Sequence, residues 1–272
     1  MAVSASAPTA LVTGAGIRIG RAIALYLGRR GYSVAVHYHR SREDADAVVG
    51  EITGIGGKAA ALQADLADHA AVSALVGQAA DALGPLSVLV NNASLFEYDH
   101  IQTATEASWD SHLDINLKAP FFLSQAFAAQ LPDGVAGNIV NMIDMRVWRL
   151  TPHFASYTTA KTGLWALTQS LAIALAPRIR VNGIGPGPVL PNKRQTPEQF
   201  ARQWESTPLR RGAHPDEIAA AVGFLLDAPA MTGQMIALDG GQHLPWQGNA
   251  APLSSGPRGL SHAEPGQADP EE

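Results

Sequence analysis

The sequence predicts an α/β chain built on a doubly wound, seven-stranded parallel sheet with helices on both faces. Three observations predict it. Short β-branched runs alternate with longer apolar segments of helical length, the runs are apolar throughout, and the first run closes on glycines that open a helix. Strands that must be covered on both faces read as continuous apolar runs, and strand–helix alternation gives a parallel sheet.

The strands are expected at 10–14 (ALVTG), 33–38 (SVAVHY), 59–65 (AAALQAD), 86–92 (LSVLVNN), 138–143 (NIVNMI), 179–185 (IRVNGIG) and 235–241 (MIALDGG). Helices are expected at 19–29, 41–53, 69–83, 108–130, 155–176 and 215–227. One stretch breaks the rhythm: 186–212, rich in Pro, Arg and Gln, with a short helix expected from Glu198 to Glu205. An insertion of that length beside a strand end reads as a lid. A single domain is expected over 1–247. The segment 248–272, with its repeated Pro, Gly, Ser and acidic residues, is expected to be a disordered tail.

Bulk properties narrow the function. With 272 residues, 46% of them hydrophobic and 16% charged, the chain has ample material for one core and too little charge for disorder. A formal charge of −5 argues against nucleic acid as a partner. No apolar run reaches the ~18 residues of a membrane span, so no membrane partner is expected. The start, MAVSASAPTALVTG, lacks the basic and apolar segments of a secretory signal. Without cysteine there is no disulfide and no thiolate chemistry, and a cytoplasmic location is the default. The nine histidines are scattered without zinc spacing, and the one close pair, His37/His39 on alternate strand positions, is better explained by a cofactor phosphate, so no metal is expected.

Thr13-Gly14-Ala15-Gly16-Ile17-Arg18-Ile19-Gly20 closes the first strand. Glycines there let the backbone approach a pyrophosphate seated on a helix N-terminus, although such glycines also serve plain tight turns. The end of the second strand bears on which dinucleotide binds. A free ribose 2′-hydroxyl calls for an acid about 20 residues past the glycines. This chain offers His37-Tyr38-His39-Arg40-Ser41 instead, with no acid before Glu43. Arg40, His39 and Ser41 suit a 2′-phosphate, with Arg18 as a second cation, which makes NADP the expected cofactor. The alternative is a basic, solvated strand end. Asp65, after the third strand, is read either as an acceptor for the adenine amine or as a helix cap.

Tyr157-Thr-Thr-Ala-Lys161 begins a long apolar helix, so the two side chains lie one turn apart on one face. A nearby ammonium favours the phenolate and is expected to lower the tyrosine pKa from near ~10 by ~1–3 units, making a usable general acid.

With these motifs in place the chain resembles the short-chain dehydrogenase/reductase family, with its Rossmann-type fold, over about residues 8–245. The matching segments are Thr13–Gly20, Asn91-Asn92-Ala93, Asn116, Tyr157/Lys161 and Pro186-Gly187. The resemblance implies that Asn92 stabilises the central sheet and that Asn116 anchors a proton-relay water. It places Pro186-Gly187 at the nicotinamide, with Gly14, Ile19, Gly20, Tyr38, Leu66, Ala93 and Met142 also against the cofactor. It implies a homotetramer with Gln242-His243 near a neighbouring site.

One departure is informative. Most of the family carry a Ser thirteen residues before the Tyr, where this chain has Asp144. An ionised Asp is acceptor-only and would repel a developing alkoxide by ~4 kcal/mol at 4 Å and an effective dielectric of 20. A neutral Asp is an acid able to protonate a ring nitrogen. Asp144, Arg18 in place of a glycine, the strings HYHRS and Asn91-Asn92-Ala93-Ser94-x-Phe96, and the ending Leu238–Leu244 are together similar to pteridine and dihydromonapterin reductases. That resemblance implies a pterin stacked between nicotinamide and Phe96, oriented by Ser94 and Arg18, protonated by Asp144 with Tyr157, and walled by Trp204. The plainer alternatives are Phe96 as core, Trp204 as lid packing and Asp144 as a loop or cap residue. The segment Pro186–Pro191 lacks the Thr that often holds the carboxamide. A general carbonyl or 3-oxoacyl reductase and a non-catalytic NADP-binding sensor are the competing functions.

Overall fold

The structure is a computed structural model that describes residues 7–191 and 194–244. The tail expected at 248–272 lies outside the described residues. Seven strands form one parallel sheet: β1 (Thr9–Val12), β2 (Ser33–Tyr38), β3 (Ala59–Gln63), β4 (Leu86–Asn91), β5 (Gly137–Met142), β6 (Ile179–Pro186) and β7 (Met235–Leu238). Their spatial order is β3-β2-β1-β4-β5-β6-β7. The chain therefore reverses direction of travel at β1/β4, where Leu11 pairs with both Ala35 and Leu89. In such sheets ligands bind outside the carboxyl ends of the strands at that switch point.

The helices divide between the two faces. On one, α1 (Arg18–Arg29), α2 (Arg42–Gly54) and α8 (Pro215–Asp227) pack Ile23, Leu27, Val48, Ile52 and Val222 against Val12, Val36 and Val90. On the other, α3 (His69–Leu83), α5 (Ala119–Gln130) and α6 (Ala155–Ala174) pack Leu75, Leu123, Phe127 and Ala172 against Leu11, Leu89 and Val181. Each large apolar side chain buried this way contributes roughly 1.5–3 kcal/mol.

Two departures from the sequence reading matter for the site. The single helix expected at 108–130 is three pieces: α4 (Glu106–Leu113), a π-helical turn at Asp114–Lys118, and α5. One wide turn sets the Asn116 side chain toward the segment after β4, and π-turns of this kind frequently mark functional sites. At α6, the residue before the helix, Phe154, has φ 59°, in the left-handed region that a bulky side chain rarely occupies. The short helix in the lid, α7, runs Pro197–Glu205 behind a Thr196/Gln199 capping box.

Candidate active site

Along the carboxyl ends of the strands lies one cavity of about 1160 Å³, bounded by the β1–α1 turn, the ends of β2, β4 and β5, α6, and the lid. Its two ends are built differently.

The nucleotide end is made of backbone. Gly14 has φ 61°, and a Cβ on Gly20 would lie 2.1 Å from the Gly14 oxygen and 2.6 Å from Asn92 Nδ2, so only glycine lets the turn close. The α1 N-terminus follows with no side-chain cap, whereas Asp68, Thr105 and Thr196 cap α3, α4 and α7. Free N–H groups at a helix start facing a cavity form an anion site. Asn92 Nδ2 donates to Thr13 O (2.8 Å) and Gly14 O (3.2 Å), tying the turn to the end of β4. At the far corner His39 and Arg40 are exposed, Arg40 has no side-chain partner among the described residues, and both line the cavity with Ser41, Tyr38 and Leu66. The end of β2 itself offers no carboxylate for a ribose 2′-hydroxyl, so these residues fit the doubly charged 2′-phosphate of NADP.

Three expectations at this end change. His37 does not face a phosphate. It is buried, its Nδ1 accepts from Gly14 N (2.9 Å), its Nε2 lies 3.2 Å from Ala64 O, and burial lowers its pKa to about 4. It is a neutral strut under the glycine turn. Asp65 does not cap α3, which Asp68 does. Its Oδ1 accepts from Ala67 N, and its other oxygen lies 3.6 Å from His39 Nε2. Arg18 (φ 55°) reaches across to the lid and donates to Pro191 O (3.0 Å) and Leu190 O (3.2 Å).

The catalytic end is made of side chains. Tyr157 and Lys161 are almost wholly buried and lie one turn apart on α6. Tyr157 Oη donates to Asp144 Oδ2 (2.9 Å), and Asp144 Oδ1 accepts from Arg146 N (2.8 Å) at the start of a short 3₁₀ turn. Asp144 is therefore both a cap and a member of the proton-donor group. Lys161 Nζ donates to Met142 O (2.8 Å) and stands 5.8 Å from the Tyr157 ring centroid. Burial pushes the Asp144 carboxyl up from its usual range against the opposing pull of the Arg146 N–H and charge. Burial and then the Asp144 carboxylate push the Tyr157 hydroxyl well up, while burial brings Lys161 down to about 8.

The expected lowering of the tyrosine pKa by lysine is thus reversed. The ammonium is spent on a backbone carbonyl and the nearest ionisable group is an acid, so Tyr157 stays a hydroxyl donor. The groups whose proton affinities move toward neutrality are Asp144, raised by burial, and Lys161, lowered by it.

Asn116 is buried. It accepts from Ser94 Oγ (3.0 Å) and Leu95 N (2.9 Å) and donates one amide hydrogen to Leu95 O (2.9 Å), so the side chain fixes the segment after β4. Phe96 lines the cavity, but its parallel ring partner is Phe154, with centroids 4.4 Å apart and planes 11° apart, and the Arg194 guanidinium carbon lies 5.7 Å from the Phe96 centroid. Trp204 does not wall the pocket. Its Nε1 donates to Pro188 O (2.7 Å), its ring rests on Phe200 and His214, and Gly212 leaves it room, so it packs the lid from behind. The lid's lining comes from Gln195, Gln199, Phe200, Arg202 and Gln203, with Gln242 from the chain beyond β7. Gly187 lines the cavity too, although its lack of a side chain is required by Asp239, whose Cα would lie 2.7 Å from a Cβ. Sequence reasoning missed Phe154 and Arg146 on this wall. Neither sits in a recognisable motif, and the left-handed backbone that aims Phe154 leaves no trace in composition.

Among the described residues no group of three or more His, Asp or Glu side chains could hold a metal, and no helix is long and apolar enough to cross a membrane.

A glycine turn for a pyrophosphate, opening into the same cavity as a buried acid–tyrosine–lysine set, defines the class of dinucleotide-dependent oxidoreductases. Residues 14–243 match the family described as enoyl-(acyl carrier protein) reductase, and the chain belongs to that family, within the short-chain dehydrogenases/reductases. Relatives diverge in what they do. The chain is 37% identical over 241 residues to a 3-oxoacyl-(acyl-carrier-protein) reductase of Staphylococcus aureus, covering 87% of this chain and 98% of that one. Its fold superimposes with a TM-score of 0.86 and 48% identity on the FolM alternative dihydrofolate reductase 1 of Brucella canis complexed with NADP, over 88% of this chain and 95% of the other. A short-chain dehydrogenase/reductase of Serratia marcescens matches at 33% identity and a TM-score of 0.82, over 87% and 98%.

Proposed function

We propose that this chain is an NADPH-dependent reductase of a pterin ring, taking a dihydropterin to a tetrahydropterin. The observation that carries the proposal is Asp144 hydrogen-bonded to Tyr157 where a serine hydroxyl would serve a ketone. NADP(H) is the cofactor, matching the run His39–Ser41, which itself carries no acid, and the NADP held by the Brucella enzyme. When bound it supplies a hydride. The chain's own contribution is proton delivery: Asp144, its carboxyl kept protonated further toward neutrality by burial, hydrogen-bonds a ring nitrogen and gives up its proton there. Tyr157, 2.9 Å away, is placed to pass to the carboxylate a proton drawn from solvent, regaining one as it gives one up and so remaining a hydroxyl. Lys161, charged below about pH 8, donates to Met142 O and keeps further N–H groups for the ribose. Ser94, bonded to Asn116, and Arg18 edge the cavity where a pterin and the cofactor phosphates would meet.

The competing reading is a 3-oxoacyl reductase, favoured by the Staphylococcus relative. Following NADPH oxidation with dihydrobiopterin, dihydrofolate and an acetoacetyl thioester in parallel separates the two. Turnover of the pterins is the expected result, turnover of the thioester alone would install the competitor, and NADPH binding without any turnover would leave a sensor.

We further propose a homotetramer. The helices α4, α5 and α6 leave Trp109, Phe121 and Ile173 exposed, the last to 82%, which is the surface a second copy would cover. Sedimentation velocity at micromolar concentration is expected to show four subunits, and a monomer would refute it.

A further inference from the structure

Behind the proton-donor group, out of reach of the cavity, three polar side chains from three elements meet. Asp99, in the segment after β4, is 2% exposed, and His112 on α4 and Ser156 on α6 are fully buried. Asp99 Oδ1 accepts from Ser156 N (3.2 Å), and its Oδ2 accepts from Ser156 Oγ in a short hydrogen bond. Ser156 Oγ also lies 2.7 Å from His112 Nδ1, which is itself 2.9 Å from Ser108 O. His112 Nε2 accepts from Glu97 N (3.1 Å).

These contacts fix every proton. Because His112 Nε2 must accept, its proton is on Nδ1, where it is shared between Ser108 O and Ser156 Oγ. The serine hydroxyl is then free to donate only to Asp99. None of the three side chains lines the cavity.

What they hold is adjacent to the chemistry. Helix α6 begins without a cap of its own, since the Phe154 side chain has no polar atom to supply one. Asp99 provides that cap from another segment, and its backbone oxygen takes the Phe154 N–H (2.7 Å). Phe154 is thereby kept in its left-handed conformation with its ring flat on Phe96, and Phe96 stands edge-on to Tyr157, centroids 4.7 Å apart. The residue after Ser156 is Tyr157 itself. A left-handed phenylalanine is strained and persists only where its surroundings hold it in place.

We infer that Asp99, Ser156 and His112 are positioning residues that set the Tyr157 hydroxyl on Asp144 and hold Phe154 as part of the wall. The inference rests on Tyr157 acting in proton transfer and is independent of which substrate is reduced.

Ser156→Ala removes one hydroxyl and leaves the Asp99–Ser156 backbone bond intact, so it is the gentlest test, with Asp99→Asn as the second variant. Two readouts are taken. In the protein without cofactor, nitrogen-15 NMR of labelled histidine should show His112 as the Nδ1–H tautomer, and exchange of the Phe154 amide should quicken in both variants. In the loaded enzyme, kcat should fall about 10–100-fold, the cost of a misplaced reacting group. NADPH affinity by fluorescence should stay within about twofold, since the nucleotide end is untouched, and the isotope effect on kcat with 4-deuterated NADPH should rise as the chemical step becomes limiting. A fall in kcat with an unchanged isotope effect and a matching loss of folded protein would make the network merely structural and overturn the inference. Unchanged kcat with quickened amide exchange would overturn it equally. If wild type reduces none of the substrates, the proposed function fails by itself, and the tautomer and exchange data still decide whether the network holds α6 as described.

Discussion

The two ends of the cavity are specified at different levels of the chain. At the nucleotide end the working groups are backbone: the turn at Gly14–Gly20, the uncapped start of α1, and carbonyls tied by Asn92. At the catalytic end they are side chains whose positions depend on contacts far apart in sequence: Asp144 on Tyr157, Phe154 on Phe96, Asn116 on Ser94. A backbone-built site depends on its glycines, on the side chains that brace them and on its corner charges. A side-chain-built site is open to a change of chemistry by a single substitution. The chain's relatives include both an acyl-carrier-protein reductase and a dihydrofolate reductase.

Breaking the catalytic end should have the largest effect. Asp144→Ser replaces the acid with a weak hydrogen-bond donor. Pterin turnover should fall about 10²–10⁴-fold, the range of a lost general acid, with NADPH affinity unchanged by fluorescence titration. The substitution also supplies a donor suited to a carbonyl, so turnover of a small diketone should rise. Equal losses on both substrates would show that residue 144 only caps its turn.

The nucleotide end should respond in the opposite pattern. Arg40→Asp removes the unpartnered cation at the 2′-phosphate corner and introduces repulsion. One lost charge-assisted hydrogen bond is worth about 1.5–3 kcal/mol, so NADPH affinity should drop about 10–100-fold while NADH affinity barely moves. A parallel fall for both cofactors would remove Arg40 from the phosphate site.

The smallest effect is expected where the lid is packed from behind. Trp204→Phe loses the bond to Pro188 O and should lower stability by about 0.5–1.5 kcal/mol in urea unfolding, leaving KM for the reduced substrate in place. A raised KM with unchanged stability would return Trp204 to the pocket wall.

The same contrast explains what could be read from the sequence. All seven strands and the sheet class were legible, because buried parallel strands announce themselves as apolar runs. The Gly14–Gly20 turn and the Tyr157–Lys161 spacing were legible because each is local. His37 was misjudged for a non-local reason: a strand-end histidine looks the same whether it faces a phosphate or braces Gly14 N from below. Trp204 was misplaced because a loop's direction depends on what it packs against, here Pro188, Phe200 and His214. The π-turn at Asn116 was invisible for a related reason: one extra residue in a helical turn barely disturbs an apolar periodicity. Asp144 was found by counting from Tyr157, yet its effect on Tyr157 was not, since the electrostatic outcome required knowing that Lys161 donates to Met142 O.

The central claim is that Asp144 works as an acid, and the pH dependence of pterin turnover tests it most directly. Burial raises the carboxyl's pKa, so the protonated, active form persists to higher pH than for an ordinary aspartate and is lost as pH rises through the raised value. Tyr157, pushed well up, does not ionise over that interval. With saturating NADPH, kcat for dihydropterin should be highest in acid and decline as pH rises through the raised Asp144 value, and Asp144→Ser should flatten that decline at pH below the Lys161 titration at about 8. A wild-type kcat that is level or rises across the same range would contradict the account.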